Sequence, residues 1–113
     1  MSQITTHVLD TSIGKPAQGI QIVLEQPNAD GTWSVIGKGQ TNSDGRLPTL
    51  LHNDMVLEPG IYRLVFDTAP YFKAQGVKAF YPSVSIAFET TDKSHYHVPL
   101  LLNPYGYSTY RGS

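Results

Sequence analysis

Residues 95–113 read His95-Tyr96-His97-Val98-Pro99-Leu100-Leu101-Leu102-Asn103-Pro104-Tyr105-Gly106-Tyr107-Ser108-Thr109-Tyr110-Arg111-Gly112-Ser113. The stretch divides into a strand, a Pro-Tyr-Gly turn and an aromatic run. Side chains alternate between the faces of a strand, so His95 and His97 share one face, and Tyr96, Val98, Leu100 and Leu102 take the other. One apolar side turned to a core and one polar side turned elsewhere is the pattern of a half-buried strand.

The same pattern recurs toward the start of the chain. Ile4 to Asp10 mixes β-branched and polar residues, with Ile4, Thr6 and Val8 on one face and Thr5, His7 and Leu9 on the other. Ser12 to Pro16 reads as a loop. Ile20, Ile22 and Leu24 alternate with Gln21, Val23 and Glu25, and Trp33 to Thr41 forms a further strand. The two are separated by a turn over 27–31 that carries Asp30-Gly31. A second turn, Asn42-Ser43-Asp44-Gly45, delivers Arg46 into a short edge strand over 46–51, because Pro48 has no N–H for a ladder.

Residues 60–67 give the clearest strand, although Ile61, Leu64, Val65 and Phe66 alternate imperfectly. Residues 67–76 differ: a capping Asp67 or Thr68, Pro70 near the first turn and a closing Gly76 predict the one short helix. Strands over 83–88 and 95–102 flank a polar turn at 91–94, and a last strand covers 107–111. About eight short strands with turn punctuation predict an all-β antiparallel two-sheet sandwich, with a barrel as the alternative. No linker or internal repeat interrupts residues 1–113, so one domain is expected.

Composition narrows the function. Eight Lys and Arg against nine Asp and Glu leave a formal charge of −1 over 113 residues. No basic stripe draws the chain to nucleic acid or to an anionic membrane, and neither partner is expected. The chain has no cysteine, which excludes disulfides and thiolate chemistry. The opening residues lack a basic stretch followed by an apolar one, so neither a signal peptide nor a membrane span is expected, and the cytoplasm is the default compartment.

Four histidines remain as chemistry-bearing groups: His7, His52, His95 and His97. If the first and last strands are neighbours, His7 lies near His95 and His97, and Arg46 follows a tight turn that can aim it into a groove. Half-buried structural histidines are the competing interpretation. Three imidazoles can also hold zinc with an open position for water, but His-x-His is weakly specific and no carboxylate has fitting spacing, so no metal cofactor is expected. Tyr105, Tyr107 and Tyr110 could stack on bases, yet the near-neutral charge favours packing roles for them. Asp10, Asp67 and Glu89 are too scattered to form a glycosidase pair.

Taken together, Ile4-Thr5-Thr6-His7-Val8-Leu9-Asp10, Gly14-Lys15-Pro16-Ala17, Asp44-Gly45-Arg46, the strand His95 to Leu102 and the closing Tyr110-Arg111-Gly112-Ser113 resemble the 5-hydroxyisourate hydrolases, the transthyretin-related enzymes of urate degradation. The resemblance spans essentially the whole chain. It implies a transthyretin-like sandwich assembled as a homotetramer, a dimer of dimers, with sites at the mouths of a central channel. It implies catalytic roles for His7, Arg46, His97 and Ser113, and substrate contacts from His95, Tyr110 and Arg111. The implied reaction adds water to a ring amide of 5-hydroxyisourate, giving 2-oxo-4-hydroxy-4-carboxy-5-ureidoimidazoline, without a cofactor. Neutral imidazole suits activation of water, and a guanidinium suits the charge on the carbonyl oxygen. His7 and His97 would share water activation and proton delivery, while Ser113 positions substrate or a histidine. A transthyretin-like carrier without catalysis is the alternative, weakened because transthyretin lacks this histidine set and tail. His52 is expected to be structural.

Overall fold

Alternation along the first strand is realised in full. In β1 (Ile4–Asp10), Ile4, Thr6, Val8 and Asp10 are buried and the residues between them are half-buried. A computed structural model describes residues 2–52 and 54–113. The remaining elements are β2 (Lys15–Pro16), β3 (Gln21–Pro27), β4 (Trp33–Gln40), β5 (Arg46–Leu47), β6 (Gly60–Asp67), α1 (Ala69–Ala74), β7 (Val84–Thr90), β8 (Tyr96–Asn103) and β9 (Gly106–Thr109). They form two sheets, one ordered β2-β1-β8-β9 with β5 also on β1, the other ordered β4-β3-β6-β7.

The inward faces meet in one core. Ile4, Val8 and Leu100 from the first sheet and Ile22, Leu24, Leu64 and Phe66 from the second are all fully buried. Removing each such side chain from water contributes about 1.5–3 kcal/mol. A slip of one residue would turn a whole set outward, so burial fixes the register and with it the direction of every polar side chain on the outer face. In β6 the imperfect alternation resolves: Tyr62, Leu64 and Phe66 point inward, while Ile61 is exposed.

Four details differ from the sequence expectation. The described residues contain nine strands, because two residues of the expected loop over 12–16 pair with the end of β1 as β2. The edge strand expected over 46–51 stops at Leu47, since Pro48 cannot extend the ladder. β1 and β8 run parallel, against an otherwise antiparallel pattern. Finally, β7 and β8 belong to different sheets, so the turn at 91–94 is a crossover and not a hairpin. Asp92 organises it by accepting hydrogen bonds from the Ser94 amide at 3.0 Å and the Tyr96 hydroxyl at 2.9 Å.

The expected helix is present, shorter than its signals. Thr68 occupies the cap position, but its hydroxyl makes no capping bond. Tyr71 ties α1 to the first sheet: its hydroxyl donates to Oδ2 of the buried Asp10 at 2.7 Å. Burial, followed by that carboxylate, pushes the Tyr71 phenol up to about 12. No helix among the described residues is long and apolar enough to cross a membrane.

Candidate active site

Because Ile4, Thr6 and Val8 face the core, Thr5 and His7 must face outward on the first sheet. β1 lies between β5 and β8, and the register sets His7 opposite Arg46 and Thr5 opposite His97. The core-facing Leu47 and Val98 turn their strand neighbours Arg46 and His97 to the same outer side. Three strands therefore present two imidazoles, a hydroxyl and a guanidinium on one surface.

The turn before β5 fixes Arg46. Asn42 accepts hydrogen bonds through Oδ1 from the Asp44 amide at 2.9 Å and the Arg46 amide at 3.1 Å. Gly45 takes a φ of +73°, and its carbonyl accepts from the Val8 amide at 2.8 Å. A Cβ there would stand 2.5 Å from the Val8 carbonyl oxygen, so only glycine admits this approach. Asp44-Gly45-Arg46 is thus a device for setting a guanidinium beside His7.

The tail closes the site from the other side. The Gly112 amide donates to the His97 carbonyl at 2.8 Å, forming an antiparallel bridge that carries the tail across β8. The resulting cavity of about 470 Å³ is lined by His7, Arg46, His95, His97, Tyr110 and Ser113. Six of the seven residues implicated by resemblance therefore converge. Arg111 does not: its guanidinium lies over the Tyr96 ring, 4.4 Å from the centroid, and lines a separate cavity of about 380 Å³ bordered by β7. Arg111 therefore lies apart from the cavity that gathers the other six. His52 is outside the cavity, exposed beside Asp54.

Thr5, Thr6, Pro48 and Gly112 also line the cavity, though none of them carries a titratable group that would mark it in the sequence. Thr5 was findable, since it shares the outer face of β1 with His7. Its Oγ1 is 2.9 Å from Nε2 of His95 and 2.8 Å from Nδ1 of His97. The two rings stack with centroids 6.5 Å apart. Among the described residues no three His, Asp or Glu side chains group as metal ligands.

The electrostatics follow from this packing. No Asp or Glu side chain is among the described residues lining the cavity. Burial, then the charge of Arg46, then His7 and His95, hold His97 below the ordinary imidazole value. The same causes favour its neutral form, and its Nδ1 is engaged by Thr5. The site combines a neutral base, a second imidazole and a fixed cation around a small concave space, a set suited to hydrolysis of a compact, electron-poor ring.

Comparison with known proteins agrees over the whole length. The chain is 50% identical over 114 residues to a probable 5-hydroxyisourate hydrolase of Caenorhabditis elegans, covering 99% of this chain and 82% of the relative. It superposes on the 5-hydroxyisourate hydrolase of Klebsiella pneumoniae with a TM-score of 0.83 at 33% identity, covering 97% and 92% of the two chains. It superposes on sea bream transthyretin, solved with thyroxine, with a TM-score of 0.90 at 30% identity, covering 98% and 95%. The HIUase/transthyretin family profile matches residues 4–112, and the chain belongs to that family.

Proposed function

We propose that this protein hydrolyses 5-hydroxyisourate, opening its ring to the ureidoimidazoline product of urate degradation. The observation that carries this reading is the convergence of His7, Arg46, His97 and the 110–113 tail on one cavity. Fold alone would not separate a hydrolase from a carrier, since the likeness to transthyretin is at least as close as that to the hydrolase. The polar lining favours the enzyme: a carrier has no use for two imidazoles and a guanidinium aimed at one small volume.

Water is a weak nucleophile, and a neutral imidazole accepts its proton as the oxygen attacks the ring carbonyl. Charge that develops on the carbonyl oxygen is met by the guanidinium of Arg46, whose backbone the turn before β5 fixes beside β1. When the carbon–nitrogen bond breaks, an imidazole returns a proton to the leaving nitrogen. Of His7 and His97, which both line the cavity, His97 carries both transfers and His7 orients the attacking water. Ser113 and Tyr110 shape the wall that orients substrate, and no cofactor takes part.

A single hydrolase domain over residues 1–113, a cytoplasmic location and a homotetramer built as a dimer of dimers belong to the same reading. The edge positions of β7 and β9 in their sheets, with exposed Tyr107 on β9, support the assembly. The deciding experiment follows the ultraviolet absorbance of freshly generated 5-hydroxyisourate with and without protein. Acceleration by catalytic amounts is expected. Stoichiometric protection of the substrate would instead identify a carrier.

A further inference from the structure

Thr5 holds two imidazoles on a hydroxyl that carries a single hydrogen. A hydroxyl donates once and accepts through its lone pairs. With His95 Nε2 at 2.9 Å and His97 Nδ1 at 2.8 Å, the hydroxyl can donate to only one ring, so the other ring must donate to it. The protonation states of the two histidines are therefore tied together through Thr5.

Resting on the hydrolase reading above, we propose that Thr5 and His95 form a proton relay for His97, with the exposed His95 holding the proton between its removal from water and its delivery to the leaving nitrogen. In the starting arrangement His97 carries its hydrogen on Nδ1 and donates to Thr5, Thr5 donates to Nε2 of His95, and His95 carries its own hydrogen on Nδ1. Nε2 of His97 is then bare and takes the proton of the attacking water. The Nδ1 hydrogen of His97 passes to Thr5 as the hydroxyl hydrogen passes to Nε2 of His95. His97 is neutral again, now with hydrogen on Nε2, and His95 is the cation. Delivery of the Nε2 hydrogen to the leaving nitrogen draws both shifts back and restores the start. One proton enters, one leaves, and no bond to Thr5 is made or broken apart from its O–H.

The surroundings give the direction. His97 faces the Arg46 guanidinium on β5 and His7 on β1, with Tyr110 and Ser113 on the tail and no Asp or Glu side chain in the lining. A positive charge on His97 is opposed by Arg46 and by burial. His95 lies just before β8 and is exposed to water, which solvates a cation readily. Moving the charge outward by one hydroxyl separates it from the charge that stabilises the transition state.

The test uses the full chain and three variants. Thr5→Val keeps the β-branched shape without the hydroxyl, Thr5→Ser restores the hydroxyl, and His95→Gln keeps a hydrogen-bonding group without the basic nitrogen. Thr5→Val and His95→Gln are expected to lower kcat about ten- to hundredfold with KM within about twofold. Thr5→Ser is expected to retain the wild-type rate and pH profile. Imidazole ¹⁵N spectra of the free protein read the coupling without substrate: Thr5→Val should change the tautomer balance of His95 and His97 together and leave His7 unmoved. Wild-type kcat and pH profile in Thr5→Val, or unchanged ¹⁵N tautomers in that variant, would overturn the relay while leaving the hydrolase reading intact. Absence of turnover by the wild-type protein would remove the hydrolase reading and, with it, the relay.

Discussion

Gly112 and His97 lie in contact with no room for a side chain between them. The Gly112 amide donates to the His97 carbonyl at 2.8 Å, and a Cβ on Gly112 would stand 2.6 Å from Cδ2 of the imidazole. The tail therefore acts as a backstop for the ring that carries the proposed proton transfer.

Gly112→Ala should push the imidazole or lift the tail. Catalytic groups tolerate little displacement, so kcat should fall about tenfold or more. Gly112 is half-buried and lies outside the hydrophobic core, so the melting temperature should change little. Steady-state kinetics beside a thermal melt check both halves.

Arg46→Ala should lower kcat/KM for 5-hydroxyisourate by about a hundredfold or more, since a preorganised charge donor is lost at the carbonyl oxygen. Circular dichroism should show the sandwich intact, because Arg46 is exposed and its backbone bonds remain. Gly45→Ala should cost both activity and stability, as it collides with the Val8 carbonyl at a φ of +73°.

His97 titrates below the ordinary imidazole value, through burial first and the Arg46 charge second. The acid limb of kcat/KM should therefore lie below about pH 6.5. The sign for stability agrees: a depressed value in the fold contributes stability above the ordinary value, and that contribution is lost as pH falls. A pH–rate profile and an NMR titration of His97 should report the same direction.

Tyr71 works in the opposite sense. Its phenol is pushed up to about 12, against 10.0 in the unfolded chain. Its contribution is complete below pH 10 and is lost as pH rises from 10 toward 12. Tyr71→Phe should remove that alkaline dependence and cost about 1 kcal/mol at neutral pH, read by urea denaturation.

Arg111 is expected to act on the tail through Tyr96. Arg111→Ala should raise amide exchange at Gly112, raise KM several-fold and cost about 0.5–1 kcal/mol of stability. Arg111→Lys should recover part of each. Hydrogen exchange separates this from a direct substrate contact, which would leave Gly112 protection unchanged.

The fold was largely legible because one face of each main strand is apolar: burial falls on every second position through the middle of β1, β3 and β6, and β8 departs from that only at Pro99. Sheet partnership was not, since the polar residues at 91–94 read equally well as a hairpin turn or a crossover. The neighbourhood of the first and last strands could be raised, but the parallel direction of β1 and β8 could not, because local pattern carries no information about strand direction. Among site residues, the histidines and Arg46 declared themselves by chemistry. Thr5 could be found from the face of β1 it shares with His7, whereas Gly112 could not, because its importance lies in one missing methyl, a property of contacts. The direction of Arg111, toward the Tyr96 ring, is likewise a property of contacts that its motif does not carry.

The parallel pairing of β1 with β8 also bears on the order of events during synthesis. Thr5 and His97 meet directly across that ladder although 92 positions separate them. A nascent chain exposes its first strand to the cell long before the strand that completes it leaves the ribosome. Until then β1 has only the two-residue strands β2 and β5 beside it, and closure of so distant a pairing is intrinsically slow. Chains that stop short of β8 would lack Val98, Leu100 and Leu102 from the core as well as His97 from the cavity.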